Sequence, residues 1–92
     1  MKQIKLSNGT TVKINENVVN DMELVDLLSE AQEDGTKYSA VVEKIFGKEK
    51  KKLYNAIRKD GIVPIASTKE GEYSIADAIS EVMEQLGTAG KN

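Results

Sequence analysis

Cysteine and histidine are both absent from this chain of 92 residues, and proline occurs once. The missing cysteine removes disulfide staples and thiolate metal sites. It also fits a reducing compartment. The missing histidine removes the commonest general base and the commonest zinc ligand. What remains for metals is carboxylate chemistry with hard cations, and no loop has the spacing such a site needs. No apolar run approaches the ~18 residues of a membrane span. The N-terminal MKQIKLSNG lacks the apolar core of a signal peptide, so the expected location is cytosolic. Net charge is −2 with a pI near 5.2, which argues against a general nucleic-acid binder.

What is present is unevenly distributed. Asp21 to Asp34 holds six acids and no base, whereas Lys44 to Lys59 holds seven bases and one acid, Glu49. A single small domain is expected over residues 1–92, mainly α with an N-terminal β-hairpin and about four short helices in a small bundle. A chain of this size buries only roughly 60% of its unfolded surface, so the core is thin.

The hairpin is expected over residues 3–14. Ile4 and Leu6 alternate with Lys5, Val12 and Ile14 alternate with Lys13, and Asn8-Gly9 between them suits a type I′ turn. Two strands alone are marginal, so their apolar face must pack on helices or on another chain. Asn20 is a candidate N-cap with Glu23 as its capping-box partner, opening a helix over about 21–33 that buries Met22, Leu24, Val25, Leu27, Leu28 and Ala31. Thr36 caps a second helix over about 37–46, stopped by Gly47. A third, over about 48–59, turns Leu53, Tyr54, Ala56 and Ile57 inward and closes at Asp60-Gly61. Ile62 to Ile65 is extended, because Pro64 disfavours helix at Val63. A polar loop follows at 66–73. Ser74, with Asp77 three residues on, caps a last helix over about 74–86 with Ile75, Ile79, Val82, Met83 and Leu86 on one face. Gly87 ends it and 87–92 is a frayed tail.

The search for chemistry returns candidates with plainer explanations. Glu23, Asp26, Glu30 and Glu33 include helical i,i+3 and i,i+4 neighbours, but paired acids on a surface helix are mostly solvated. Gly47 and Gly61 follow helical stretches as C-caps do, and no phosphate-loop motif is present. No serine or threonine has a partner base. No catalytic, cofactor-binding or metal-ligating residue is therefore assigned, and an enzyme is not expected. Two surfaces are left. Val18, Val19, Met22, Met83 and Leu86 exceed what a thin core covers and form an apolar partner-binding set, with core packing as the plainer alternative. Lys48, Lys50, Lys51, Lys52 and Arg58 form an electrostatic docking face, against the alternative of a merely solvated helix. Their counterpart is either the acidic Asp21–Asp34 helix of a neighbouring copy, which makes a homo-oligomer possible, or acids of the same chain in a simple intramolecular charge balance.

Three stretches in this order, KLSNGTTVKINENVVNDMELVDLLSEAQ, then VVEKIFGKEKKKLYNAIRKDGIVPIA, then SIADAISEVMEQL, resemble the small tail assembly chaperones of long-tailed phages and prophages of Gram-positive bacteria. The resemblance spans nearly the whole chain. It departs at Met22, where relatives tend to carry an aromatic, and at ASTKEGEY, which has the look of an insertion. The resemblance implies a non-enzymatic factor that binds the tape measure protein, shields its apolar surface and helps recruit tail tube protein. It implies action in the host bacterial cytoplasm and absence from the mature virion. Many such proteins have a longer form made by ribosomal frameshift, and Gly90-Lys91-Asn92 is compatible with a slippery purine run. The rival reading is a small nucleic-acid-binding or regulatory interaction protein that uses the helices at 37–46 and 48–59, as a helix-turn-helix does.

Overall fold

The computed structural model describes residues 1–90, with side chains described as far as Gly87. The fold is α+β. An antiparallel hairpin, β1 (Lys2–Lys5) and β2 (Thr11–Ile14), is followed by four α-helices: α1 (Met22–Glu33), α2 (Tyr38–Phe46), α3 (Lys50–Ile57) and α4 (Ile75–Gly90). Short 3-10 turns at Glu16–Asn20, Gly35–Lys37 and Gly47–Glu49 link them.

In the hairpin, Ile4 stands opposite Val12 and Lys5 opposite Thr11. The turn is not the two-residue type I′ expected from Asn8-Gly9. Gly9 donates to the Leu6 carbonyl at 2.9 Å, Leu6 to the Thr10 carbonyl at 2.7 Å, and of the loop residues only Gly9 has positive φ, at 93°. This is a three-residue loop with Gly9 as a bulge, the next most common solution to right-handed strand twist. The Asn8 side chain accepts from the Thr10 amide at 3.0 Å, and Asn8 itself has no positive φ. Ile4, Leu6, Val12 and Ile14 are all fully buried. The hairpin thus closes on the helices of its own chain, mainly α2. The outward amide of Lys13 donates to Glu49 Oε1 at 3.0 Å, so a carboxylate occupies the free edge of β2.

One device starts three of the helical segments. Asn15, Asp21 and Asp34 each accept a hydrogen bond from the amide two residues on, at 2.9–3.1 Å. The cap of α1 is therefore Asp21 rather than Asn20, and Glu23 plays no part in a capping box. Asn20 belongs instead to the 3-10 turn that carries Val18 into the core, which moves the helix start one residue along. Likewise Thr36 is a donor to the Asp34 carboxylate, not a cap. Glycine47, at φ 48° and ψ −117°, terminates α2 as expected. The third helix is shorter than expected: residues 47–49 are a 3-10 turn, and Arg58 is already extended at ψ 133°. Asp60 and Gly61, both at positive φ, then reverse the chain so that Lys59 and Ile62 pair. Ala56 faces solvent rather than the core.

The Ser74–Asp77 capping box is present in full. Ser74 donates through N and Oγ to Asp77 Oδ2, both at 2.9 Å, and Ser74 Oγ accepts from the Asp77 amide at 3.3 Å. Gly87 does not end α4, which continues to Gly90. Gly87 is absent from the positive-φ glycines, and one glycine inside a helix costs only about 1 kcal/mol. The expected tail at 87–92 is thus helical as far as Gly90, and Lys91 and Asn92 lie outside the described residues.

The core is one cluster uniting Ile4, Leu6, Val12 and Ile14 with Leu24, Val41, Val42, Phe46, Leu53, Ile75, Ile79 and Val82 among others. Met22 and Val25, expected inside α1, are 68% and 49% exposed. The buried stripe of α1 runs through Leu24 and Ala31, with Leu27 and Leu28 half-buried, so its apolar face is wider than what the core covers.

Candidate functional site

The five residues expected as an apolar partner-binding set do not form one. Val18 and Leu86 are buried, Val19 and Met83 are half-buried against the core, and only Met22 is exposed. The core takes them in: the turn at 16–20 packs against α4, with Val18 and Leu86 buried.

A different apolar surface is open. Tyr38, Ser39 and Val42 on α2, Tyr54 on α3, and Val63, Ile65 and Ile75 line a groove of about 350 Å³, with Gly35 and Thr36 at its α1–α2 corner. Its wall is built by backbone chemistry. Pro64 and Ile65 turn their carbonyls to the first turn of α4, accepting from the amides of Ile75 at 2.9 Å and Ala76 at 2.8 Å. Two amides that a helix start leaves without partners are thereby satisfied. The extended segment is pinned across the N-terminus of α4, with Val63 and Ile65 facing the groove. Ile62 and Pro64, one residue out of phase, line a separate cleft of about 300 Å³ with Lys59, Asp60, Ala66, Thr68, Lys69 and Glu72. Ile62 is 66% and Ile65 49% exposed. Sequence reasoning missed both, although the period-2 alternation of Ile62 to Ile65 carries the signal that each side chain pair meets a different surface.

The expected electrostatic face is only partly free. Lys50 pairs with Glu43 at 2.8 Å, which raises the lysine above its ordinary value. Arg58 donates to Asn55 Oδ1 at 2.7 Å. Lys48, Lys51 and Lys52 are exposed and have no ion pair among the described residues. The acidic helix is also partly engaged within its own chain. Lys44 of α2 reaches Glu23 at 2.8 Å and Asp21 at 3.0 Å, so one cation offsets half of the charge of the two acids at the start of α1. Hydrogen bonds from Lys44 and the Glu23 amide hold the Asp21 carboxyl below its ordinary value, and those to Glu23 and Asp21 raise Lys44. Lys37 approaches Glu30 at 3.8 Å across the α1–α2 corner.

Comparison with protein-family models, with curated proteins and with solved structures finds no match.

The loop 66–73 is tied down rather than loose. Ser67 Oγ donates to Asp77 Oδ2 at 2.6 Å and lies 2.7 Å from the Glu72 carbonyl, and the Thr68 amide donates to Glu72 Oε1 at 2.9 Å. Donation from Ser67, then from Ser74, keeps the Asp77 carboxyl below its ordinary value. Nearby, Ser7 donates through N and Oγ to the two Glu81 oxygens, fastening the hairpin turn to α4. The Tyr73 hydroxyl is buried without a hydrogen-bond partner among the described residues; burial, with the charge of Glu81 second, pushes it well above its ordinary value. Among the described residues no group of three or more His, Cys, Asp or Glu is placed to hold a metal ion. Nor is any helix there long and apolar enough to cross a membrane. What this surface can do chemically is bind an apolar side chain or two along an extended edge.

Proposed function

We propose that this chain is a non-enzymatic tail assembly chaperone that binds a tape measure protein, shields its apolar surface and helps recruit tail tube protein around it. The observation that carries the reading is the open apolar groove between α2, α3 and the Val63–Ile65 edge, on a domain too small for a deep pocket. A long helical target presents repeated apolar stripes, and a shallow groove receives such a stripe by the helix-in-groove mode. The three-part sequence resemblance supplies the identity of the target. The setting is the host cytoplasm, without incorporation into the virion.

The test is co-expression with the product of the long helical open reading frame expected beside the gene. A soluble complex of the two is the expected outcome. An insoluble target with this chain purifying alone contradicts the reading. Exposed Lys48, Lys51 and Lys52 favour a second reading, a nucleic-acid contact. A shift of generic duplex at low salt that disappears steeply with added salt would support that one instead.

A further inference from the structure

Two clefts adjoin on one face of the molecule, where Asn15 and Lys44 line both. One carries Met22 at the start of α1. The other, about 370 Å³, lies between the hairpin and the end of α2. Buried Ile45 and Phe46 and the 87% exposed Met1 supply its apolar lining. Its charged lining is Lys13, Lys44 and Lys48 with one acid, Glu49. Of four surface clefts, this one alone has an excess of one charge. The groove beside Tyr38 and Tyr54 has no charged residue, the Met22 cleft sets Asp21 against Lys44, and the Ile62 cleft sets Lys59 and Lys69 against Asp60 and Glu72. Lys44 is engaged by Asp21 and Glu23. Lys13 and Lys48 are exposed and have no ion pair among the described residues. Even with Lys44 set aside, two cations stand against one acid there.

The opposite combination lies on α1. Met22, Val25, Asp26, Ser29 and Glu33 recur at i, i+3, i+4, i+7 and i+11, a single helix face, and all five are exposed. Met22 and Val25 are 68% and 49% exposed. Asp26 and Glu33 have no ion pair among the described residues. The face is thus an apolar and acidic ridge, and it begins at the cleft that adjoins the basic one.

We infer that two copies of this chain pair about a two-fold axis near Asn15 and Lys44, with the α1 ridge of each seated on the basic cleft of the other. Met22 and Val25 pack against Met1, Ile45 and Phe46, and Asp26 and Glu33 face Lys13 and Lys48. Adjoining complementary patches are what a two-fold contact needs. Each copy gives and receives the same two surfaces, so the assembly closes at a dimer and does not grow into a filament. Charge sets the register, and the apolar contacts supply the affinity. The inference does not depend on the chaperone reading, and the groove beside Tyr54 lines neither surface.

The test is sedimentation of the full chain over a range of concentrations. A monomer–dimer equilibrium is expected, with a dissociation constant that rises at least about tenfold from about 0.05 M to about 0.5 M salt. Lys13→Glu with Lys48→Glu should weaken the dimer at least about tenfold, and so should Asp26→Lys with Glu33→Lys. Circular dichroism identical to that of the unaltered chain verifies that both variants fold. An equimolar mixture of the two variants should dimerise about as well as the unaltered chain, because every ridge then meets a cleft of opposite sign. Lys59→Glu with Lys69→Glu, the same charge change at another cleft, should have no effect, and neither should Ile65→Glu. A strict monomer at every salt and concentration would overturn the inference. So would a mixture of the variants that stays monomeric, species that keep growing beyond a dimer, or equal weakening by the changes at Lys59 and Lys69.

Discussion

Asp77 accepts from two serines on two sides of a chain reversal, so one carboxylate fixes two segments. It starts α4, and through Ser67 it ties the loop 66–73 to the same point. Ser74 is fully buried, so Ser74→Ala removes the cap without gaining a solvated substitute. The expected loss is about 1 kcal/mol, seen as a fall in melting temperature of roughly 4–8 °C by circular dichroism. The pH dependence follows from the depressed carboxyl. A group whose folded value lies below its unfolded one contributes stability above the unfolded value, which is lost as pH falls through the folded one. Urea midpoints should therefore decline below about pH 4, with a shallower decline in Asp77→Asn. Gly47 tests backbone strain separately from packing. A Cβ there meets nothing within 4 Å, yet φ is +48°, so Gly47→Ala should cost about 1–3 kcal/mol through conformation alone. Gly35 also has open space and no positive φ, and Gly35→Ala should be neutral or stabilising by about 0.4–1 kcal/mol in the same assay.

The secondary elements show where periodicity is informative and where it stops. The hairpin strands, the four α-helices and the Ser74–Asp77 cap were legible, because each rests on local rules: alternation, i,i+4 stripes, and a capping box before an apolar run. The cap of α1 was not, since Asp21 competes with Asn20, which belongs to the turn that carries Val18 inward, and α2 has no side-chain cap, because Asp34 caps the 3-10 turn before it. The wide stripe of α1 also misleads. Its chemistry does not say how much of it neighbours will cover, and here Met22 and Val25 stay outside. The Gly87 stop failed for a different reason: a glycine without positive φ costs a helix only about 1 kcal/mol, too little to end it. Between elements, Glu49 seals the outer edge of β2 through the Lys13 amide. In Glu49→Ala, hydrogen exchange should quicken at Lys13 and stay slow at Val12, whose amide points into the ladder. Equal acceleration at both would mean that Glu49 supports the whole hairpin rather than its edge.

The whole molecule combines a thin core with a divided surface. Among the described residues, acids remain without an ion pair along α1 at Asp26 and Glu33, and lysines at Lys48, Lys51 and Lys52, after internal pairing has used Lys44, Lys50, Asp21, Glu23 and Glu43. Weak self-association through these faces should diminish with added salt, because exposed charges are screened over about 10 Å at 0.1 M. Sedimentation at two ionic strengths measures it, and a strict monomer at every salt and concentration would refute it. The groove was hidden from sequence reading because it joins residues far apart in the chain. The sequence turns Tyr54 inward and makes Ile65 part of an extended connector, and neither reading joins them to Tyr38. Only the pinning of the Pro64 and Ile65 carbonyls on α4 brings the edge to them. The most direct test of the chaperone role is the soluble yield of the tape measure protein in cells with and without this chain. The reading predicts that the target is recovered soluble, bound to several copies of the chain, and lost to the insoluble fraction when the chain carries Ile65→Glu. A target equally soluble in its absence, or insoluble in its presence, would contradict it.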